Sequence, residues 1–534
     1  MGWGIRESAA FQSASNLPFI RHFTLKLGLA CFLLAFNVLS DGFDLSMYNQ
    51  IQAMTAFQQR FGNVCNKKTG VCTISTSHLS LLNSIPFILF AASLFIASSI
   101  GERFGRRAVY VAMNVVCLIG TGVTYSAKTY GQILAGRCII NIYTGFEAWL
   151  VPLFLAELVA AKIRGTVVSG FLFFRIIGSL ITGCVGYKTA NWPGDKSWQT
   201  PVVVMFVVPT IALLFCWVIP ESPRWLLRVG KDEQALKALR SICVARPGMD
   251  IEMELVLLKE SLELETEKGT WLDLFRGTNR RRTGVAMITN FFALATGQSF
   301  AAVYQTIFLK TLNTINPFLF NILSSAAGVV GAAVFLSLVD RVGRRRFWQT
   351  LAPMCAVCML CLGALGVNPN PSIAQKNAIA AFFPIFGFFF MSSFAPLGSL
   401  TSAEIPSLKL RDKTAMAGWS AQNLTNFVAS FTAPYLMDKG YANLQSKIGF
   451  IYGGIGIVGC IWAYFYYPEL KSRSLEEIDE MMRHNIPAWK TKDWVVPEDS
   501  IGHRLTEMEN RGEGEVQDED VQKQSVAHVE NSVA

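Results

Sequence analysis

The sequence predicts an all-α integral membrane protein whose twelve transmembrane helices form two pseudo-symmetric six-helix bundles. Hydrophobic residues make up 51% of the 534 residues and charged residues only 16%, whereas about 25% of a typical soluble chain is charged. Twelve apolar stretches are long enough to cross a bilayer, and two charged motifs recur in both halves of the chain. A lipid bilayer is therefore expected to cover much of the apolar surface.

The composition argues against several other classes of protein. The formal charge of +9 comes from scattered groups of Lys and Arg and not from a basic arm or stripe, so we expect no nucleic-acid partner. The five His residues form no zinc-like or catalytic pattern, and no phosphate-binding loop with a Gly-Lys-Ser/Thr sequence is present. We therefore expect no metal, no cofactor and no enzymatic activity.

The apolar stretches match the roughly 20 helical residues that cross a hydrocarbon core. In the first half of the chain they lie near residues 27–51, 78–100, 108–126, 131–155, 166–188 and 200–219. In the second half they lie near residues 284–309, 317–338, 348–367, 376–402, 414–436 and 447–467. These are called the first to the twelfth span below.

The spans divide the chain into five parts. A short segment, 1–26, has no signal-peptide pattern, so the first span should be retained. The bundle of 27–219 is joined to the bundle of 284–467 by a Lys/Glu-rich helical linker, 220–283, which we place in the cytoplasm. The tail, 468–534, becomes acidic and nearly free of aromatic residues, which predicts disorder toward its end.

Short basic loops indicate how the chain is oriented. They contain Arg103, Arg106 and Arg107; Lys162 and Arg164; Arg341, Arg344, Arg345 and Arg346; and Lys409, Arg411 and Lys413. All four loops lie on one side if the spans alternate, and this side, called the basic-loop side, is cytoplasmic by the positive-inside rule. Both termini are then expected in the cytoplasm.

Two charged motifs recur at nearly the same offset. The sequence Glu-Arg-Phe-Gly-Arg-Arg at 102–107 corresponds to Asp-Arg-Val-Gly-Arg-Arg at 340–345, and a Glu followed seven residues later by Arg occurs at 157 and 404. Such repeats indicate two related halves. The charges either anchor the loops or form a latch that ties helices together in one state; the latch candidates are Glu102, Arg106, Arg107, Glu157, Arg164, Asp340, Arg344, Arg345, Glu404 and Arg411.

Several motifs together resemble the sugar porters of the major facilitator superfamily. They comprise Gly42-Phe43-Asp44, Gly105-Arg106-Arg107, Gly136-Arg137, Pro220-Glu221-Ser222-Pro223-Arg224, and Pro468-Glu469 with Arg473-Ser474-Leu475-Glu476-Glu477. The sequences at 44–49 and 297–300 look most like fungal members. The resemblance covers residues 27–480 and implies the major facilitator fold and alternating access. It also implies a sugar or sugar-like polyol as substrate and a plasma-membrane location.

The sequence departs from the family at several customary sugar ligands. A Gln pair expected in the seventh span is Ala293 and Leu294, and the Gln of the fifth span and the Trp of the tenth are Leu172 and Ser399. Amides, hydroxyls and aromatic faces suit a neutral polyol, which has many hydrogen-bonding groups and no charge. The substrate-binding candidates in corresponding regions are Asn49, Gln298, Ser299, Tyr304, Gln305, Gln422 and Asn426.

Asp44 and Arg137 are charged residues inside apolar spans, where a lone charge costs on the order of 3 kcal/mol or more. In proton-coupled members of the family an acid of the first span takes up a proton and is opposed by an Arg of the fourth span. We therefore predict that Asp44 pairs with Arg137 and that protonation breaks the pair. A static ion pair is the alternative, and Asp41, one helical turn away, is a competing candidate.

Glu147 and Arg175 lie at matching depths in adjacent spans, about 15 to 16 Å above the same turn. Intramembrane charges tend to pair, so we predict an ion pair between them. An unpaired Arg175 would instead indicate a carboxylate substrate.

Cys65 and Cys72 are in the first loop of the side opposite to the basic loops, and a disulfide is possible there in an oxidising exterior.

The predicted function is import of a sugar or polyol together with protons by a multi-pass transporter in a lipid bilayer. An uncoupled facilitator, a carrier of a cyclic hydroxy acid of the quinate type and a nutrient sensor that does not transport are the alternatives. The sequence gives no indication of protein partners.

Overall fold

The computed structural model describes residues 24–65, 70, 72–159, 161–242, 251, 255, 258–259, 269–312, 316–368, 370–407, 410–471, 473 and 475–494. The segment 1–23, much of the linker and the tail after 494 lie outside this description. The side chains of Arg164, Asp340 and Arg411 also lie outside it, so their predicted roles in the latch stay predictions.

The first six spans are helical. The first span consists of two consecutive helices, Leu25–Asn37 and Leu39–Ile51, and the sixth is divided into Lys196–Val204, Val207–Leu214 and a 3-10 turn, Cys216–Val218. The others are single helices: Thr76–Phe104, Arg106–Tyr125, Tyr130–Leu158 and Ala161–Thr189. Shorter helices cover Thr55–Phe61 before the second span and Pro223–Arg228 and Asp232–Ile242 after the sixth.

The last six spans are also helical. The seventh is broken into Gly277–Ala295, Gln298–Val303 and Gln305–Leu312, and the tenth into Ile373–Ser392 and Phe394–Glu404. The eighth, ninth, eleventh and twelfth are Pro317–Val342, Arg344–Leu365, Arg411–Met437 and Ile448–Tyr466. The described tail adds the helix Leu475–Arg483, and 3-10 turns cover Trp271–Phe275, Gln445–Lys447 and Ala488–Lys490.

Among the described residues, nine of these helical stretches are long and apolar enough to cross a membrane: Leu25–Ile51, Thr76–Phe104, Arg106–Tyr125, Tyr130–Leu158, Lys196–Val218, Pro317–Val339, Arg344–Leu365, Ile373–Ser402 and Gln445–Tyr466. The seventh and eleventh spans are more polar, and they pack within the same bundles as the others. Polar residues are expected where a span faces a cavity and not lipid.

Local sequence explains several helix ends. Thr129 and Gln132 form a capping box at the start of the fourth span, and Ser372 and Gln375 form one at the start of the tenth. In each, the hydroxyl accepts from a backbone N–H of the first turn while the Gln side chain accepts from the backbone of the capping residue. Two backbone donors at the start of each of these helices are therefore satisfied.

Buried hydrophobic residues form two large clusters, one within residues 27–242 and the other within 285–482. Each half thus has its own core, and the predicted all-α fold of two six-helix bundles is confirmed. The domain boundaries themselves stay a prediction.

All six hydrogen bonds described between the two halves involve residues 46–53 or 76–80 of the first half. Asn49 donates to Asn321 at 2.9 Å and accepts from the backbone of Thr306 at 3.2 Å, and Asn321 donates to Ser46 at 3.1 Å. Lys310 donates to the carbonyl of Ala53 at 2.6 Å, Ser80 donates to that of Phe431 at 2.7 Å, and Thr76 bonds to Asp438.

These contacts lie on the side of the molecule opposite to the basic loops. A two-stranded hairpin, Val64–Cys65 with Cys72–Thr73, stands on that side, and a disulfide joins Cys65 to Cys72. We call it the disulfide side. The halves are therefore held together there in this conformation.

Candidate functional site

A cavity of about 220 Å³ lies between the two halves. Its charged wall belongs to the first half, from which it receives Asp41, Asp44, Arg137, Glu147 and Arg175. Its neutral polar wall belongs to the second half and includes Gln298, Ser299, Ser399, Gln422, Asn423 and Asn426. Phenylalanines such as Phe87, Phe90, Phe173 and Phe390, together with Trp419, complete the lining. Such a mixture of apolar surface and a few polar groups is typical of small-molecule sites.

The cavity extends from the middle of the spans toward the basic-loop side. Its lining includes Leu400, one turn before the latch residue Glu404, and Trp419, two turns after the start of the eleventh span at Arg411. On the other side it ends near Asp44, because Ser46 and Asn49 of the next turn are bonded to the second half.

Asp44 and Arg137 both face this cavity and are 6% and 3% exposed, respectively. They do not form the predicted ion pair in this conformation: the guanidinium of Arg137 lies 3.8 Å from the centre of the Tyr48 ring. Oδ1 of Asp44 and both Nε and Nη1 of Arg137 have no hydrogen-bond partner. A cation over an aromatic face is stabilised by the ring quadrupole, which explains how the Arg is held without a carboxylate.

The predicted ion pair between Glu147 and Arg175 is wrong for this structure. Nε of Arg175 lies 2.7 Å from Oδ2 of Asp41, while Oε2 of Glu147 has no partner. The reason is the close packing of the first span against the fifth. Gly42 and Gly178 have no side chains, and any Cβ on either would collide with the backbone of the facing helix. Arg175 therefore lies beside the turn that carries Asp41.

Four of the seven predicted substrate ligands line the central cavity: Gln298, Ser299, Gln422 and Asn426. The hydroxyl of Ser299 donates to Oδ1 of Asn426 at 2.6 Å, which joins the seventh and eleventh spans at the cavity wall. Oε1 of Gln422 is buried without a partner. An unsatisfied buried amide is costly unless a ligand or water bonds to it, so Gln422 is available to a polar ligand.

The other three candidates lie elsewhere. Asn49 is occupied by its bonds to the second half on the disulfide side, and the hydroxyl of Tyr304 donates to the carbonyl of Ser430 at 2.7 Å. Gln305 lines a smaller neighbouring cavity of about 70 Å³ and donates to Ser324 at 2.9 Å. Their assignment to the central cavity is therefore corrected for this conformation. Asn49 is bonded to the second half, and Tyr304 and Gln305 follow the break at Gly297 in the seventh span.

Sequence reasoning missed Asn141 and Thr144, which also line the cavity. Their spacing from Arg137, four and seven residues, places all three on one face of the fourth span. That periodicity could have identified them. Asn423 was missed as well, although it directly follows Gln422.

Two latch candidates of the first half, Arg106 and Glu157, meet at the basic-loop side. Arg106 donates from Nε and Nη2 to the two carboxylate oxygens of Glu157, at 3.1 and 2.9 Å, and from Nη1 to the carbonyl of Gly101. Glu221, from the Pro-Glu-Ser-Pro-Arg motif, accepts from the backbone N–H of Arg106 at 2.9 Å. A carboxylate at this position accepts hydrogen bonds from the free backbone amides at the start of the third span. Its negative charge also interacts favourably with the positive end of the helix dipole.

The second half repeats this geometry. Arg344 donates to Oε1 of Glu404 at 3.0 Å, and Glu469 accepts from the backbone N–H of Arg344 at 2.9 Å. Arg345 instead donates to the carbonyls of Tyr467 and Tyr464, both at 2.6 Å. Sequence analysis did not place Glu221 and Glu469 in the latch, although both follow a Pro and are 248 residues apart.

Burial raises the pKa of Glu221 above its ordinary value, and hydrogen bonds from the backbone of Ser222, Arg106 and Arg107 oppose this effect. Desolvation penalises the charged form of this carboxyl, and it is the larger of the two influences on the pKa.

The family profile described as "Sugar (and other) transporter" matches residues 30–482. The chain belongs to the sugar porter family of the major facilitator superfamily. Among curated proteins, this sugar porter is 26% identical over 497 residues to the hexose transporter HXT11 of Saccharomyces cerevisiae, covering 88% of this chain and 85% of that one. It is 28% identical over 466 residues to the major facilitator-type transporter ecdD of Aspergillus rugulosus, covering 84% and 85%.

Solved structures of the xylose transporter XylE from Escherichia coli share the fold of this sugar porter. The partially occluded inward-open form matches with a TM-score of 0.68 at 20% identity, covering 84% of this chain and 100% of that one. XylE bound to 6-bromo-6-deoxy-D-glucose, described as a proton:xylose symporter, matches with a TM-score of 0.69 at 23% identity, covering 85% and 99%. The sugar porter is thus a multi-pass integral membrane protein.

Proposed function

We propose that this sugar porter is a secondary active transporter that imports a sugar or sugar-like polyol together with protons by alternating access. One observation carries the proposal: a single cavity between the halves holds the unpaired, buried acid Asp44 on one wall and neutral amides such as Gln298 and Gln422 on the other. The acid can take up a proton, and the amides can bind hydroxyls. We place the protein in the plasma membrane with both termini in the cytoplasm.

Alternating access fits the distribution of contacts. The halves are joined by hydrogen bonds on the disulfide side, and the cavity extends toward the basic-loop side. The ion pairs of Arg106 with Glu157 and of Arg344 with Glu404 lie within their own halves, so each half can move as a unit. Breaking the contacts of Asn49, Ser80 and Lys310 would allow the disulfide side to open.

Proton coupling is assigned to Asp44 with Arg137. Arg137 lies on Tyr48 in this conformation, and an ionised Asp44 would attract it because opposite charges pair strongly away from water. Proton binding and the position of Arg137 are thereby linked. A proton moving down a membrane potential supplies about 2.3 kcal/mol per 100 mV, which is enough to concentrate a solute.

The test is uptake of a panel of labelled sugars, polyols and cyclic hydroxy acids into cells that express the chain, with and without a proton uncoupler. We expect the uncoupler to abolish accumulation. Asp44→Asn should abolish accumulation but leave exchange of substrate across the membrane, and Asp195→Asn, an exposed acid on the disulfide side, serves as a control for a lost carboxylate. Undiminished accumulation by Asp44→Asn would contradict the role of that residue.

Arg175 gives a second candidate some support. Its side chain lines the cavity and is 39% exposed, although it is paired with Asp41. A guanidinium with free donors can bind a carboxylate, so the panel includes hydroxy acids; uptake of these alone would favour such a carrier. Uptake that is insensitive to the uncoupler would identify a facilitator, and binding without any uptake would identify a sensor.

A further inference from the structure

Glu147 is a buried cavity carboxylate to which the proposed mechanism assigns no role. It is 3% exposed, lies halfway along the fourth span, and faces the same cavity as Asp44. Its Oε2 has no hydrogen-bond partner. A lone ionised carboxylate inside a membrane costs on the order of 3 kcal/mol or more, so such a group either pairs with a cation or holds a proton.

The cation at the right depth is already occupied. Arg175 of the fifth span forms its ion pair with Asp41 of the first span, at 2.7 Å. The other charged or titratable groups near Glu147 are Tyr143 on its own span and Cys117 on the third. Neither is a cation. The hydroxyl of Tyr143 donates to the carbonyl of Asn37 at 2.8 Å and also lies within hydrogen-bonding reach of the Glu147 side chain. The second span has no titratable side chain between residues 79 and 101.

We propose that Glu147 is a second proton-binding site of the transport cycle and that Arg175 changes partner when Glu147 loses its proton. In this conformation Arg175 is bound to Asp41 and Glu147 carries the proton. When the O–H bond of Glu147 breaks, the proton passes to water in the cavity. Arg175 then turns toward the new carboxylate, which it can reach from the neighbouring span.

Asp41 can tolerate the loss of its partner better than Glu147 can. The side chain of Asp41 is 21% exposed, so cavity water can hydrate its charge after Arg175 leaves. Glu147 has almost no exposed surface. The guanidinium therefore moves to the carboxylate that water hydrates less, which couples one proton to a rearrangement between the first and fifth spans.

Infrared spectroscopy of the purified full-length protein tests this directly, because a protonated carboxyl has a stretching band distinct from that of a carboxylate. Glu147→Gln should remove one protonated-carboxyl band. Glu233→Gln is the control, since Glu233 is an exposed carboxylate on a connecting helix and should contribute no such band. An unchanged spectrum in Glu147→Gln would overturn the proposal.

A second variant tests the exchange of partners without changing Glu147. In Asp41→Asn, Arg175 has lost its carboxylate and should pair with Glu147, so the Glu147 band should disappear. In Arg175→Gln the band should remain, because the cation proposed to pair with Glu147 is gone. Retention of the band in Asp41→Asn would overturn the exchange.

The role in transport rests on the proton coupling proposed above and is measured separately. In proteoliposomes, the ratio of protons to substrate, obtained from the reversal potential, should fall by one in Glu147→Gln. An unchanged ratio would overturn the transport role of Glu147. If the wild-type protein moves substrate without any protons, the coupling by Asp44 fails, while the infrared measurement still decides whether Glu147 carries a proton.

Discussion

Arg106 holds both carboxylate oxygens of Glu157, at 3.1 and 2.9 Å, in a nearly fully buried ion pair at the basic-loop side of the first half. Two parallel hydrogen bonds between a guanidinium and a carboxylate are stronger and more directional than one. The pair joins the start of the third span to the end of the fourth. Its equivalent in the second half joins Arg344 to Glu404.

Removal of one member of this pair should destabilise the protein strongly. In Arg106→Gln, Glu157 would remain as a buried charge without its main partner, and such changes cost about 3–5 kcal/mol. We expect a clearly lower melting temperature for the purified protein. Arg103→Gln removes an exposed charge from the same loop and should have little effect. Equal losses in the two variants would show that loop charge, and not the pair, is responsible.

The glycines before the third and ninth spans should be essential for the carboxylate caps. Gly105 has φ 96° and ψ 170°, and Gly343 has φ 98° and ψ 152°, a region that residues with a side chain rarely adopt. A Cβ on Gly105 would also lie 2.6 Å from Oε2 of Glu221, and one on Gly343 would lie 2.6 Å from Oε2 of Glu469.

Gly105→Ala and Gly343→Ala are therefore each expected to reduce stability by about 1–3 kcal/mol. Gly122→Ala is the matched control, because Gly122 is helical and has no atom within 4 Å of the new methyl group. Thermal unfolding of the three variants checks this. A loss in Gly122→Ala as large as in the other two would contradict the cap explanation.

Stability should also depend on pH through Glu221. Its pKa in the folded protein is raised by burial, while in the unfolded chain it is about 4.3. A group whose pKa is raised on folding contributes stability below the unfolded value and loses that contribution as the pH rises through the folded value. The wild type should therefore lose stability relative to Glu221→Gln as the pH rises from acidic values toward neutral.

Melting temperatures of both proteins over a pH series measure this difference. Glu233→Gln changes an exposed carboxyl on the next connecting helix and controls for the loss of one negative charge. A difference between the wild type and Glu221→Gln that stays constant, or changes in the opposite direction, would count against the desolvation of Glu221.

The cavity predicts which amide contacts the substrate. Gln422→Ala should weaken substrate binding by up to about tenfold, because a net hydrogen bond contributes about 0.5–1.5 kcal/mol. Quenching of Trp419, which also lines the cavity, offers a binding signal. Thr425→Val is the control, since its hydroxyl donates within its own helix to Ala421 at 2.8 Å. A comparable loss of substrate binding in Tyr304→Phe would show that Tyr304 also contacts the substrate.

The sequence predicted many residues of the site, but it specified only their depth along each span. Counting residues along a helix gives the depth of a side chain. Glu147 and Arg175, which this counting puts at matching depths, both line the cavity. Depth does not specify which neighbouring helix approaches most closely. Gly42 and Gly178 allow the first and fifth spans to pack in close contact, and Arg175 therefore forms its ion pair with Asp41.

The same limit explains Asn49 and Tyr304. Both are polar residues in spans that form the cavity, but Asn49 lies one turn beyond its end and Tyr304 points toward the eleventh span. Their roles depend on the break after Gly297 and on the contact between the halves. Neither feature has a sequence pattern as clear as a hydrophobic span.

The sequence by itself determined the membrane class, the positions of the spans, the two related halves and the family, because hydropathy and repeated motifs are properties of the chain alone. The tertiary structure decided which charges pair, which amides face the cavity and which side of the molecule is closed. These depend on how far apart packed helices lie and how each is rotated about its axis. A single missing side chain, as at Gly42, is enough to change the partner of an intramembrane arginine.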